Sequence, residues 1–266
     1  MDTKCGGGIN IMKNNILLMN FSHVYEYENF YKDEDFRIIN FSEVEGTNCY
    51  CDNETASIIR KYISSFDVEG VHFIDSGNYH YVSSFWLEKI KKPFILVVMD
   101  NHTDMQEPAF GDILSCGSWI HDVISKNSYL KKVVLIGPPK SSYTSLNDKI
   151  IPIYEGDKNF KEKLEEIELL KKEYSIYISI DKDVLSEKYA ATSWSQGNMG
   201  LDMLEKFISY FYNDKTIGID VCGECPLNCE MCTSQSMTIN NSTNKEILNY
   251  IESINSREDV KELIPN

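Results

Sequence analysis

Residues 95–106, ILVVMDNHTDMQ, restrict the fold of this chain more than any other stretch. Residues 95–99 are apolar without interruption, the pattern of a strand covered on both faces, and the run stops at Asp100, His102 and Asp104. Alternation along an extended chain places those three polar side chains on one side. Strands covered on both faces belong to parallel sheets packed between helices, and such sheets hold ligands at their carboxyl edge. Two carboxylates and an imidazole at that edge predict a metal site. The same residues could serve as an ordinary solvated acidic loop, so the other strand ends carry the decision.

Those ends repeat the pattern. Residues 71–74 predict a buried strand ending in Asp75-Ser76-Gly77-Asn78-Tyr79-His80, and residues 176–180 one ending at Asp181-Lys182-Asp183. Further strands are expected at 15–20, 36–41, 132–136, 149–154 and 216–221, the last running into a cysteine-rich loop. Helical spacing marks 52–66, 82–90, 119–125, 159–172, 201–212 and 244–254, the first with Ile58, Ile59, Tyr62 and Ile63 on its apolar face. The aromatic and acidic residues 23–35 have no period and predict no element. Strands alternating with helices call for an α/β fold, a three-layer α/β/α arrangement around a mostly parallel central sheet. With no linker or repeat to divide it, the chain of 266 residues is expected to form one domain over 1–266.

A formal net charge of -15 argues against nucleic acid as a partner, because binding phosphates needs a basic surface. It suits a small cationic substrate, although solubility accounts for most of the acids. No apolar run approaches the roughly 20 residues needed to cross a bilayer. Residues 1–14 carry no continuous apolar segment of the secretory kind, so a cytoplasmic protein with no membrane partner is expected. In that compartment eight cysteines point to thiols, catalysis or metal rather than a disulfide framework.

In a parallel sheet His80, then Asp100, His102 and Asp104, then Asp181 and Asp183, all open toward one edge. These O and N donors exceed what one catalytic ion needs. Two ions bridged by shared carboxylates would use them all, and the mixed carboxylate and imidazole set suits Mn(II).

The order and spacing of these residues resemble the ureohydrolase superfamily, the arginases and agmatinases. The family's Gly-Gly-Asp-His-Ser, Asp-Ala-His-x-Asp and Ser-x-Asp-x-Asp segments are similar to Ser76-Gly77-Asn78-Tyr79-His80-Tyr81, Asp100-Asn101-His102-Thr103-Asp104 and Ser179-Ile180-Asp181-Lys182-Asp183. Ile136-Gly137, the loop from Ala191-Thr192 to Gly200, and Gly218-Ile219-Asp220 through Pro226 extend the likeness, which is strongest over 71–226. The resemblance implies an arginase-like fold and two Mn(II) ions per chain, with homo-oligomerisation left open. His80, Asp100, Asp104 and Asp181 would bind one ion and Asp100, His102, Asp181 and Asp183 the other. It also implies hydrolysis of a guanidino group to urea and an amine, with Asp104 orienting the nucleophile and helping to protonate the leaving amine.

The chain departs from the family pattern where substrate is recognised. Counting from Asp220, the family's guanidinium-binding Glu position holds Gly223, and a carboxylate follows one residue later as Glu224. Cys116 stands in place of the proton-shuttling His, with His121 nearby as a substitute; a structural cysteine is the alternative. Pro138-Pro139-Lys140 replaces an Arg-bearing turn, and Ser193-Trp194-Ser195 replaces a Gly-Thr-Pro segment. The expected substrate is therefore a guanidine other than free arginine, either a small metabolite or an arginine side chain in a peptide, as for the peptide arginases that make ornithine. Two other functions fit the same residues. One is an amide deacetylase-like metallohydrolase using a single Zn, for which His80 and Asp183 would be surplus; the other is a non-catalytic arginase-fold binding protein.

Cys222-x-x-Cys225-x-x-x-Cys229-x-x-Cys232 is the remaining signal. Paired Cys-x-x-Cys units suit zinc or an iron-sulfur cluster, but the gap between them is tight for a zinc ribbon. Local disulfides, redox thiols and plain thiols stay open, as does a buried strand-end role for Cys222. Cys49 and Cys51 specify nothing by their spacing.

Overall fold

The strands of the computed structural model, in chain order, are β1 (Ile16–Asn20), β2 (Phe36–Asn40), β3 (Tyr50–Cys51), β4 (Val71–Phe73), β5 (Phe94–Met99), β6 (Leu114–Ser115), β7 (Leu130–Ile136), β8 (Ile150–Ile153), β9 (Ser175–Asp181) and β10 (Thr216–Cys222). The helices are α1 (Asn53–Ile63), α2 (Val82–Leu87), α3 (Trp119–Lys126), α4 (Phe160–Glu173), α5 (Leu201–Phe211) and α6 (Ser234–Asn255). The structure describes residues 15–109, 111, 113–143, 147–230 and 232–255, so the N-terminal reading of residues 1–14 lies outside the described residues.

Eight strands pair in the order β2-β1-β4-β10-β9-β5-β7-β8, and every pairing among them is parallel. The alternation read from the sequence explains the layers. Ile95, Val97 and Met99 of β5 pack with Ile167 of α4, Leu204 and Ile208 of α5, and Ile247 and Ile251 of α6. Leu96 and Val98 turn to the other face, against Ile59 of α1, Phe85 and Trp86 of α2, and Trp119 and Ile120 of α3. Burying an aliphatic or aromatic side chain of this size is worth roughly 1.5–3 kcal/mol, which is why the uninterrupted apolar run ends up central. The result is a three-layer α/β/α fold, and β4, β10, β9 and β5 lie side by side in it. Register aligns Met99 with Ile180, Asp181 with Cys222 and Val221 with Phe73, which brings four strand ends to one edge.

Three elements differ from expectation. Helix α1 buries Thr55, Ala56, Ile59 and Ile63, whereas Ile58 and Tyr62 are on its outer side, Tyr62 edge-on to Phe41. Helix α6 starts at Ser234 rather than near residue 244, because its first turns bury Ser236, Asn240 and Thr243 and so carry no apolar stripe. Residues 23–35 hold a 3-10 turn at Val24–Glu26 and bury Tyr25, Glu28, Phe30 and Tyr31 through contacts with no local period. The antiparallel pair β3–β6, only two residues long on each side, was also not expected. Among the described residues no helix is long and apolar enough to cross a membrane.

Candidate metal centre

His80 follows β4 through a 3-10 turn at Gly77–Tyr79, Asp100 follows β5 directly, Asp181 ends β9 and Cys222 ends β10. These ends converge. His80 Nδ1 lies 3.2 Å from Asp100 Oδ2, 3.1 Å from Asp104 Oδ2 and 3.6 Å from Asp181 Oδ2. His102 Nδ1 lies 2.8 Å from Asp183 Oδ2 and 3.6 Å from Asp100 Oδ1. The donors form overlapping groups, His80 with Asp100 and Asp104, Asp100 with His102 and Asp183, and His80 with Asp181 and Cys222, with the ligand atoms of each group within 4.8 Å of one another.

The hydrogen bonds behind His80 define its ring. Ser179 Oγ donates to Asp220 Oδ1 at 2.6 Å, so His80 Nε2–H donates to Ser179 Oγ at 2.9 Å and Nδ1 is left as a lone pair. That Nδ1 is buried and has no hydrogen-bond partner, although three carboxylates face it. A lone pair aimed among anions calls for a cation. In the absence of metal a proton takes that part: burial opposes it, but Cys222, Asp100 and Asp104 push the His80 pKa well up.

The carboxylates are under the same stress. Burial and then the charge of Asp100 push Asp104 up to about 6. Burial followed by Asp181 and Asp100 drives Asp183 well above the usual range, and burial followed by Asp100 raises Asp181. Asp100 is the exception: despite burial, bonds from His102 and His80 hold it low. Four acids this close at 8 % exposure or less would be costly to keep without a bound cation. Backbone conformation makes room for the Asp181 carboxylate. A Cβ on Gly77 would come within 2.7 Å of Asp181 Oδ2, and one on Gly223, whose φ is +96°, within 2.5 Å of Asp181 Oδ1. Asp104 itself adopts the left-handed region, φ 48°, which non-glycine residues enter rarely and at some cost.

Of the residues expected to assist catalysis, Asp104 lies within this cluster and the other three do not. Cys116 is buried beside Cys49, its backbone N–H donating to the Cys49 carbonyl at 2.9 Å and its thiol hydrogen-bonded to that of Cys49. His121 is on α3 with Nε2 3.6 Å from Glu107 Oε1, and it joins none of the ligand groups. Glu224 is occupied elsewhere: its Oε1 accepts from Lys182 Nζ and, at 2.7 Å, from Asn244 Nδ2. Gly223 does allow the loop to turn, but the turn takes Glu224 to the buried Lys182 rather than to the ligands. Glu28, which no local pattern marked, joins that buried group through Asn244 at 3.0 Å, and burial beside Glu224 pushes its carboxyl well up.

Other partners were also missed in sequence. Trp119 Nε1 donates to Asp104 Oδ2 at 2.7 Å, Ser179 and Asp220 support His80, and Ser195 Oγ lies 2.9 Å from His102 Nε2. Alternation back from Asp181 would have found Ser179, and alternation from Asp220 would have found Cys222; nothing in the spacing marked Trp119. The four loop cysteines divide, with Cys222 at the ligand cluster and Cys225 within hydrogen-bonding reach of Cys229 and Cys232. None of the four forms a disulfide in the structure.

Fold and cluster together define a class: a parallel α/β/α protein with carboxylates and imidazoles assembled at the carboxyl edge of its sheet. The model of the arginase family matches residues 22–238, and this chain belongs to that family. An uncharacterized protein of Thermotoga maritima is 36% identical over 155 residues, and this stretch spans 58% of each chain. Formimidoylglutamase of Bacillus subtilis superposes with a TM-score of 0.65 at 11% identity, covering 93% of this chain and 90% of that one. Arginase of Entamoeba histolytica, solved in complex with L-ornithine, does so with a TM-score of 0.63 at 13% identity, covering 92% and 99%. At such identities the two structures speak for the fold.

Proposed function

We propose that this chain is a dinuclear metal-dependent hydrolase that cleaves a C–N bond of a guanidino or amidino group, on a substrate other than free arginine. The observation that carries the reading is the partnerless Nδ1 of His80 among buried carboxylates. His80, Asp100, Asp104 and Asp181 would hold one ion and Asp100, His102, Asp181 and Asp183 the other, with Asp100 and Asp181 shared. Carboxylate and imidazole donors suit Mn(II). When bound, such ions would lower the pKa of a coordinated water toward neutrality and supply Lewis acidity.

The chain's own residues supply positioning and proton transfer. Asp104 is the general base and acid: Trp119 fixes its Oδ2, leaving Oδ1 to accept the proton of the attacking water and pass it to the leaving nitrogen. His102 is a third exposed, so substrate reaches the cluster from its side. There Trp194 stands edge-on to His102 at 5.8 Å, its indole N–H held by Asn78 Oδ1 at 2.8 Å, and offers an aromatic face to a cation. Because Lys182 already occupies Glu224, recognition of the guanidinium falls to this acidic and aromatic rim. A small guanidino metabolite or an arginine side chain within a peptide fits, since no Arg-bearing turn is present to grip the carboxylate of a free amino acid.

The test is urea release from free arginine, agmatine, small guanidino acids and an arginine-containing peptide, using chain reloaded with Mn(II). Release from a guanidine or peptide, with little from free arginine, is the expected result. Fast urea release from free arginine would overturn the substrate assignment. Failure to hydrolyse any guanidine or amidine with two ions bound would overturn the activity.

A further inference from the structure

Among the described residues, Cys222 is the side chain at the centre that the carboxylate and imidazole set leaves unexplained. Buried cysteines commonly behave as small apolar groups. This one ends β10 at 1 % exposure, and its Sγ donates to Asp181 Oδ2 at 3.2 Å. Its sulfur, an Asp181 oxygen and a ring nitrogen of His80 all lie within 4.8 Å of one another. The neighbouring Nδ1 of His80, on a side chain 1 % exposed, has no partner, an independent sign that a ligand belongs on this side of the cluster. Strand alternation explains why the thiol is there: Asp220, two residues earlier, faces the same side and anchors Ser179 behind His80. Gly223 then turns the chain at φ +96°, so Cys222 is the last β10 side chain at the edge.

We infer that Cys222 Sγ is a metal ligand at the His80 position, and that this position takes a softer ion, Zn(II) or Fe(II), while the His102 position keeps Mn(II). The inference rests on the dinuclear reading above and adds that the two positions differ in metal. The His102 position has only O and N donors, whereas the His80 position gains a soft thiolate, the donor that selects zinc and iron over manganese. Coordination replaces the S–H bond by a sulfur–metal bond and releases one proton to solvent. It also frees Asp181 Oδ2 from the thiol that now donates to it.

The full chain, stripped of metal and titrated with Co(II), tests this by absorbance. Two Co(II) per chain are expected, with a near-ultraviolet sulfur-to-cobalt charge-transfer band that C222S loses while still binding both ions. Because Cys225, Cys229 and Cys232 could add to such a band, the native minus C222S difference is the quantity read. D183N, altered on the other side, should keep the difference band. In competition with Mn(II) in large excess over Zn(II), elemental analysis should find one retained Zn(II) in the native chain and loss of that retention in C222S. Two bound Co(II) with identical spectra for native and C222S would overturn the thiolate ligand and leave the dinuclear reading standing. Absence of stoichiometric binding by the native chain would instead overturn the dinuclear reading itself. If C222S does not fold, X-ray absorption at the zinc edge decides on a chain carrying C225S, C229S and C232S with Cys222 intact: a sulfur scatterer at about 2.3 Å supports the assignment, and oxygen and nitrogen alone overturn it.

Discussion

The two halves of the cluster are built differently. His80 is sealed, 1 % exposed, and every group around it is fixed from behind: Ser179 and Asp220 hold its ring, Trp119 holds Asp104, and Cys222 faces Asp181. His102 is 33% exposed and leans on Asp183 and on Ser195, a residue of the loop that also carries Trp194. Under the proposed function, the contrast assigns one half to retaining an ion and the other to admitting a reactant. Both draw on Asp100, whose two oxygens point one to each histidine.

That contrast can be broken at Asp100. Asp100→Asn weakens both halves at once, so capacity should fall from two ions to one at most, with hydrolysis reduced beyond the roughly 10–100-fold typical of losing an outer partner. Metal analysis and urea release measure it, and retention of two tightly held ions would mean that the halves do not share this residue. The second effect is on stability. Folded Asp104 keeps its proton up to about 6, while unfolded Asp loses it near pH 4, so above pH 4 the metal-free native state binds more protons than the unfolded state. Stability of metal-free chain should therefore fall as pH rises from about 4 through 6, by about 3 kcal/mol from Asp104 alone. His102, raised to about 11 by Asp100 and Asp183, extends the decline above pH 6.5. Thermal unfolding from pH 4 to 8 should show this slope, and excess Mn(II) should flatten it.

Sharper tests separate the halves. Ser179→Ala removes the acceptor of His80 Nε2–H and should weaken one of two metal-binding steps by roughly 10–100-fold, leaving the other in place. Calorimetric titration resolves the steps; an equal change in both would erase the distinction between sealed and open positions. The smallest effect is expected at Trp194. Trp194→Ala should leave metal content and melting temperature unchanged and raise KM for a cationic substrate by roughly threefold to tenfold, the worth of a modest cation–π contact. A fall in metal content instead would give Trp194 a structural part.

Much of this architecture was legible because it follows short-range rules. Apolar runs ending in spaced acids marked β4, β5 and β9, and their shared edge follows from parallel pairing. What escaped lacks local signal. The first turns of α6 are buried through Ser236, Asn240 and Thr243, which read as surface, and Trp119 reaches Asp104 from a helix whose pattern marks it only as core. Glu224 was legible as a nearby carboxylate but not as the partner of Lys182, since a buried lysine between two acids looks in sequence like an exposed one.

Lys182, Glu224, Asn244 and Glu28 come from β9's end, the loop after β10, α6 and the N-terminal loop, and each is at most 1 % exposed. This polar knot fastens the segment between Asp181 and Asp183 to α6. On the ribosome, then, β4, β5, β9 and β10 emerge before the helix that secures them, and maturation of the centre must wait until α6 has been made. A chain cut short before Asn244 would keep every residue that faces the cluster and lose the tie that holds two of them in place.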